Sequence, residues 1–225
     1  MEEEKVRRLS RDYKALYANA YSYLSAASKL RKPCISTDTG ELEDRLKRRI
    51  DGIIKRNVPK GEACKTARKV FLSALSCEGR IMLSDDIFKL CKLLYRFDDS
   101  MGVHHSALDY AAQAATKRGA ELILCPSPLE PEKLEALIIP DASLAFVGSE
   151  WQLEGARNIR IPTEISDKKE LRKARKLSNE LMTLAYEKLA EAKSLHDELE
   201  KLYIKHMNYP ALNRFTEAEI KKLLK

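Results

Sequence analysis

The sequence predicts an α/β fold: a mostly parallel sheet with flanking helices, plus a long helical, coiled-coil-like appendage. Three observations carry this expectation. Short apolar runs alternate with amphipathic stretches between residues 67 and 165, the pattern of a sheet covered by helices. Seams of apolar or small residues at helical spacing stand on both sides of that region. Charge divides the chain as well. Residues 1–69 hold 18 Lys/Arg against 10 Asp/Glu, a net +8, which leaves −1 for the rest of a chain of net charge +7. Three units follow: a helical N-terminal arm (1–66), an α/β core (67–165), and a long C-terminal helix and tail (166–225) that packs with the arm.

In chain order, residues 2–30 read as one helix. Its seam is Leu9, Tyr13, Leu16, Ala20, Leu24, Ala27 and Leu30, at a mean spacing of 3.5. Pro33 ends it. A second helix over 41–55 turns Leu42, Leu46, Ile50, Ile53 and Ile54 inward. Residues 70–75 and 80–83 read as strands around the Glu78-Gly79 turn. Ser84 is placed to cap a helix over 85–92. Residues 93–97 form the next strand, 98–103 a turn and 106–117 a helix stopped by Arg118-Gly119. A strand over 121–125 follows, broken by Pro126 and Pro128. Pro131 suits a first helical turn, so 131–137 reads as a short helix. Residues 144–147 are a fully apolar strand, and 159–161 a last one. From 167 to 207 the chain is helical, with a seam of Leu181, Ala185, Leu189, Ala192, Leu195, Leu199 and Leu202. At about 1.5 Å per residue it spans on the order of 60 Å, more than a small sheet needs, so it pairs or projects. Tyr209-Pro210 ends it. Thr216 to Glu219 reads as a capping box that opens a tail helix.

Composition narrows the class. No stretch approaches the roughly 20 apolar residues of a spanning helix, and the charged start MEEEKVRRLSRDY lacks a signal-peptide core. The chain reads as cytoplasmic, without membrane contact. Its five cysteines, Cys34, Cys64, Cys77, Cys91 and Cys125, include no C-x-x-C pair and read as free thiols.

The stretch YRFDDSMGVHHSALDYAAQAATKRG (95–119) has the strand–turn–helix layout of a phosphate-binding loop. On the frame G-x-x-x-x-G-K-[ST], Asp98 takes the first glycine place and Val103 the second. His104 takes the lysine place, and His105 the hydroxyl place. Ser106 is a hydroxyl one residue later. Val103 resists the φ > 0 geometry that wraps a phosphate, and Asp98 and Asp99 place negative charge where the anion would sit. Imidazole is a poor ligand for Mg²⁺.

From 68 to 207 the chain resembles an uncharacterised bacterial family of tandem P-loop ATPase-like proteins. The resemblance rests on ARKVFLSALSCEG (67–79), LEPEKLEALIIPDASLAFVG (129–148) and AKSLHDELEKLYI (192–204). It implies a P-loop NTPase-like core matching the second of two halves, with both the Walker A and the Walker B elements degenerate. The family's Mg²⁺-organising aspartate, at the end of a strand beside the loop, falls on Gly148. Glu150 lies two residues on. A shift of 165 residues aligns Leu16, Ala20, Tyr21, Leu24, Ala27 and Leu30 with Leu181, Ala185, Tyr186, Leu189, Ala192 and Leu195. Two Leu/Ala-rich helices could agree by chance; the family's duplicated plan favours duplication, with 1–66 as the closing helices of a lost first half.

Other groups carry less. His104, His105 and Asp109 could form a metal cluster, with a solvated helix start as the plainer reading. His196-Asp197 and His206 read as surface or seam residues. Cys125-Pro126 ends a strand near the loop but has no partner base. Trp151 reads as a plug of the crevice or a cover for a partner surface. No catalytic residue and no metal ligand is assigned.

The function expected is a degenerate ATPase-like protein, a pseudoenzyme without hydrolysis or cofactor. It would be a scaffold for a protein partner or a homo-oligomer bound through the long helices. One alternative is an ATP-binding protein or ATPase using Mg²⁺ and a variant loop. The second is nucleic-acid binding through Arg45, Arg48, Arg49, Lys55 and Arg56, a patch lacking aromatic residues for base stacking.

Overall fold

A computed structural model describes residues 2–31, 44–61, 66–99, 104–161 and 168–224. Val103, Cys34 and Cys64, singled out above, lie outside the described residues.

The core is a six-stranded sheet. Its strands are β1 (Ala67–Lys69), β4 (Leu93–Asp98), β5 (Leu122–Pro126), β6 (Leu134–Ile139), β7 (Leu144–Val147) and β8 (Arg157–Arg160). They lie in the order β1-β5-β6-β7-β4-β8. β1 runs parallel to β5, and β4 parallel to both β7 and β8. Only β6 opposes its neighbours. The α/β class and the mostly parallel sheet are therefore as expected. A separate hairpin, β2 (Ser73–Ser76) with β3 (Gly79–Met82), lies between β1 and α3 (Ser84–Leu90) in the chain.

Alternation along the strands splits the core in two. Leu144 and Phe146 face one side with Tyr95, Phe97, Leu137 and Ile139. That side is covered by α4 (His104–Thr116) and α2 (Asp44–Asn57), through Ala107, Leu108 and Ala111 and through Leu46, Ile50, Ile53 and Ile54. Ala145 and Val147 face the other side with Leu94, Ala136 and Ile138, under Ile87 of α3, Leu72 and Trp151. A single strand thus feeds both layers, as period-2 geometry requires.

The appendage is a helix pair. α1 (Glu2–Arg31) packs along α5 (Lys168–Ile204). Ser178 Oγ donates to the Ala27 carbonyl at 3.0 Å, and the His196 ring meets Tyr13 edge-on at 5.6 Å. Low numbers meet high ones, so the pair is antiparallel. Ala20, Ala27, Ala185 and Ala192 are all fully buried, and their small side chains let the helices approach closely. Leu24 and Met182 meet Leu75 and Leu129, which docks the pair on the hairpin and the β5–β6 loop.

Several expectations are corrected. The segment 131–137 is not a helix. Its second half opens β6, every residue of which is buried. Leu, Glu and Ala favour helix locally, but a run of six between two strands is too short to resist sheet pairing. α2 does not belong to the arm. Its apolar face completes the core beside α4, so residues 1–66 divide between two layers. The tail helix α6 (Tyr209–Leu223) buries no residue. It opens at Asn208, whose side chain accepts from Ala211 N at 3.1 Å, and Pro210 sits in its first turn. Thr216 is mid-helix, bonded to the Leu212 carbonyl. Ser84 is the first residue of α3, and no side-chain cap is made there. Among the described residues no helix is long and apolar enough to cross a membrane.

Candidate functional site

The parallel strands β4 and β7 end side by side, and α4 starts above them. That is the switch-point crevice where open α/β sheets place their ligands. β4 delivers Asp98 and Asp99, and the turn after β7 delivers Gly148, Ser149 and Glu150. α4 opens with His104 and His105. A cavity of about 260 Å³ lies here, lined by Asp99, His104, His105, Glu150, Arg80 and Lys133 among others. Arg175 and Asn179 of α5 face it from the appendage.

His104 is the centre of the site. It is 2 % exposed, not the solvated helix start expected from sequence. One carboxylate oxygen of Asp99 accepts from its backbone N–H at 2.8 Å and lies 3.0 Å from Nδ1. Asp99 therefore caps α4 and orients the ring at once. On the other side Nε2 lies 3.2 Å from Glu150 Oε2, within ion-pair reach. Both atoms are buried, and the contact is an ion pair rather than a completed hydrogen bond. Burial alone would push the His104 imidazole down. The bond to Asp99 and the Glu150 carboxylate outweigh burial and lift it to about 9. Burial works against the Glu150 charge too, but the His104 imidazolium holds that carboxyl down at about 2.

His105 is half-buried and differs. Its Nδ1 lies 2.6 Å from the Leu134 carbonyl oxygen. Only an N–H can satisfy that acceptor, so Nδ1 carries the proton and Nε2 keeps its lone pair. Burial first, then the His104 charge, pushes its imidazole below the ordinary value. The two rings lie 4.0 Å apart, centroid to centroid.

Gly148 makes the arrangement possible. A Cβ there would stand 2.6 Å from both Glu150 Oε2 and His104 Cδ2. Its N–H donates to the Glu135 carbonyl at 2.8 Å. The Glu135 side chain is itself wholly buried. It accepts from Ser73 Oγ at 2.8 and 2.9 Å and is paired with Arg80. Burial raises the Glu135 carboxyl despite those partners.

The remaining singled-out residues lie elsewhere. Asp98 is largely exposed beside Arg96, and Ser106 is exposed and does not line the cavity. Asp109 is exposed, so the carboxylate that joins the two histidines is Glu150 instead. Trp151 is neither plug nor partner surface: it is fully buried in the layer beneath α3. Cys91 and Cys125 are buried there as well, and burial pushes their thiols up to about 11 and 12. Arg45, Arg48, Arg49, Lys55 and Arg56 all lie exposed on α2. Arg49 donates to the Asn158 carbonyl of β8 at 3.2 Å. The Arg80–Glu135 pair was missed in the sequence, where its one visible signal is a carboxylate inside the apolar run LEALII.

No family model, no curated protein and no solved structure matches this chain.

Proposed function

We propose that this chain is a degenerate P-loop ATPase-like protein that does not hydrolyse nucleotide and works as a protein-interaction scaffold. The observation that carries the reading is the internal ion cluster at the crevice. His104 is clamped between Asp99 and Glu150, so the cation at the lysine place is already neutralised. A triphosphate approaching the start of α4 would meet two carboxylates, Asp99 and Glu150, and would have to break both contacts. Gly148, at the strand end beside the loop, offers no carboxylate to organise Mg²⁺. The anion-attracting start of α4 is capped by Asp99.

The scaffold half of the reading rests on the C-terminal helices. Leu212, Phe215, Ile220 and Leu223 of α6 are all exposed, and their spacing puts them on one helical stripe. A stripe of this kind marks a protein contact surface. Calorimetry with MgATP tests the nucleotide half. No binding is expected at concentrations up to the millimolar range, and micromolar binding would overturn the proposal. Light-scattering mass with and without residues 208–225 tests the helical half, with loss of a self-assembled or partner-bound species expected on truncation.

A second reading, nucleic-acid binding, is favoured by one observation: five basic residues of α2 stand exposed together. Phosphate contacts would make such binding fall steeply with salt. A DNA or RNA titration at two salt concentrations separates it from the scaffold reading.

A further inference from the structure

The geometry points to a transition-metal site in the crevice, built from His104 Nε2, His105 Nε2 and the Glu150 carboxylate, for a borderline divalent ion such as Zn²⁺. One ligand atom from each of these residues lies within 4.8 Å of the others. Tetrahedral zinc, with bonds of about 2.0–2.1 Å, needs its ligand atoms roughly 3.3 Å apart. His104 Nε2 and Glu150 Oε2 already stand at 3.2 Å.

Four features make this a built site rather than an accidental cluster. Both imidazoles are tied at Nδ1, to Asp99 and to the Leu134 carbonyl. That leaves Nε2 as the ligating atom on each ring, with zinc displacing the proton that the His104 imidazolium carries there, and supplies the outer partners that metal-bound histidines need. His104 Nε2 and Glu150 Oε2 are buried without a completed hydrogen bond, a state that a shared cation would satisfy. Gly148 leaves the space: any other residue would put a Cβ 2.7 Å from His104 Nε2. Two nitrogens and one carboxylate form the donor set of a three-ligand site with its fourth position open. Here that position faces a cavity of about 260 Å³ with Arg80, Lys133 and Arg175 on its wall. Nitrogen donors favour zinc, cobalt or nickel over Mg²⁺, so the site would not supply the Mg²⁺ chemistry of an ATPase.

A second cluster, His196, Asp197 and Glu200, has a similar composition on α5. It provides an internal control. Its histidine and Glu200 are exposed, and Lys193 holds Asp197 at 2.6 Å.

The test uses the full chain without an affinity tag, stripped with a chelator and titrated with ZnCl₂ by calorimetry, with metal content measured after gel filtration. One zinc per chain is expected, with sub-micromolar affinity. The variants His104→Gln, His105→Gln and Glu150→Gln should each weaken it at least 100-fold. Asp99→Asn, which removes the carboxylate behind a ligand but not the ligand itself, should weaken it about 10- to 100-fold. His196→Gln should leave it unchanged. Cobalt substitution of the unaltered chain provides a readout that does not depend on variants folding. Intense visible bands of four-coordinate Co²⁺ without thiolate charge transfer are expected. Absence of stoichiometric zinc, cysteine ligation in the cobalt spectrum, or binding that survives in a folded His104→Gln chain and is lost in His196→Gln, would each overturn the assignment.

Discussion

The crevice and the helix pair use the same polar residue types under opposite conditions. At the crevice, Glu135, Asp99 and His104 are buried, and partners meet each of them from separate elements. Along α5, Lys193–Asp197 and Lys188–Glu191 pair within one helix, in water. Between α1 and α5 the buried residues are uncharged, with Leu24, Ala27, Ala185 and Leu189 beside the hydroxyl of Ser178. Charge is therefore buried where the sheet and its loops converge to satisfy it, and is kept outside where only two helices meet. Two helices cannot surround a charge with donors; a sheet end, a hairpin and a helix start can.

The largest test puts a charge into an apolar seam. Leu24→Asp places a carboxylate in the α1–α5 seam, against Met182 and Ala185. A loss of about 4–5 kcal/mol, or detachment of the helix pair, is expected in chemical denaturation. An unchanged midpoint would mean that the pair does not form in solution.

The next removes a partner where the charge already exists. Arg80→Ala strands the Glu135 carboxylate, which is 1 % exposed. Breaking a buried pair costs roughly 3–5 kcal/mol. The cost should shrink on acidification, and the sign follows from burial. Glu135 is already raised above its ordinary carboxyl value in the intact protein, and loss of the guanidinium raises it further. A group raised on folding binds its proton more readily in the folded state, so stability lost at neutral pH returns as pH falls. A deficit independent of pH between 5 and 8 would show that lost packing of the Arg80 stem, not the stranded charge, is responsible.

Much of this contrast was legible in the sequence, and the exceptions have physical causes. Strand–helix alternation foretold the α/β class because period 2 and period 3.6 leave distinct marks. The α5 seam was visible because 37 residues of consistent spacing outweigh local noise. Residues 134–137 of β6 carry a helical signal instead, because so short an apolar run has no period of its own. At the site, the strand end and the helix start were located, yet the partners of His104 and His105 were not. Asp99 is five residues from His104, Leu134 is 29 from His105, and Glu150 is brought in by β7. Register among β4, β6 and β7 creates that neighbourhood, and no local pattern encodes it. His104 looked like a solvated helix start because composition there is polar; burial came from the elements folded over it.

Gly148→Ala is a smaller and more local perturbation of the crevice. The new methyl would lie 2.6 Å from Glu150 Oε2 and His104 Cδ2. Both belong to side chains that can shift by fractions of an ångström, so the expected loss is about 1–3 kcal/mol, typical of overpacking. Zinc affinity should fall in the same variant, because the displaced atoms include two of the proposed ligands. Full stability and full zinc affinity together would show that the crevice is roomier than its geometry implies.

The smallest expected effect lies on the helix pair, and it completes the comparison. Lys193→Ala deletes a 2.6 Å ion pair with Asp197; at the crevice, deleting one partner of an ion pair costs several kcal/mol. On α5 both groups stand in water, so the freed carboxylate is rehydrated rather than stranded. The pair is also an i,i+4 contact within one helix, so it holds no second element in place. Melting should be unchanged within error at physiological salt, with a slight drop only at low ionic strength, where screening is weak. His196→Gln should be as quiet in zinc titration, since its ring rests on Tyr13 and its acidic neighbour is already held by Lys193. A clear stability loss in Lys193→Ala would mean that the exposed face of α5 is covered in the native assembly, and would make that face, rather than α6, the place to look for the partner.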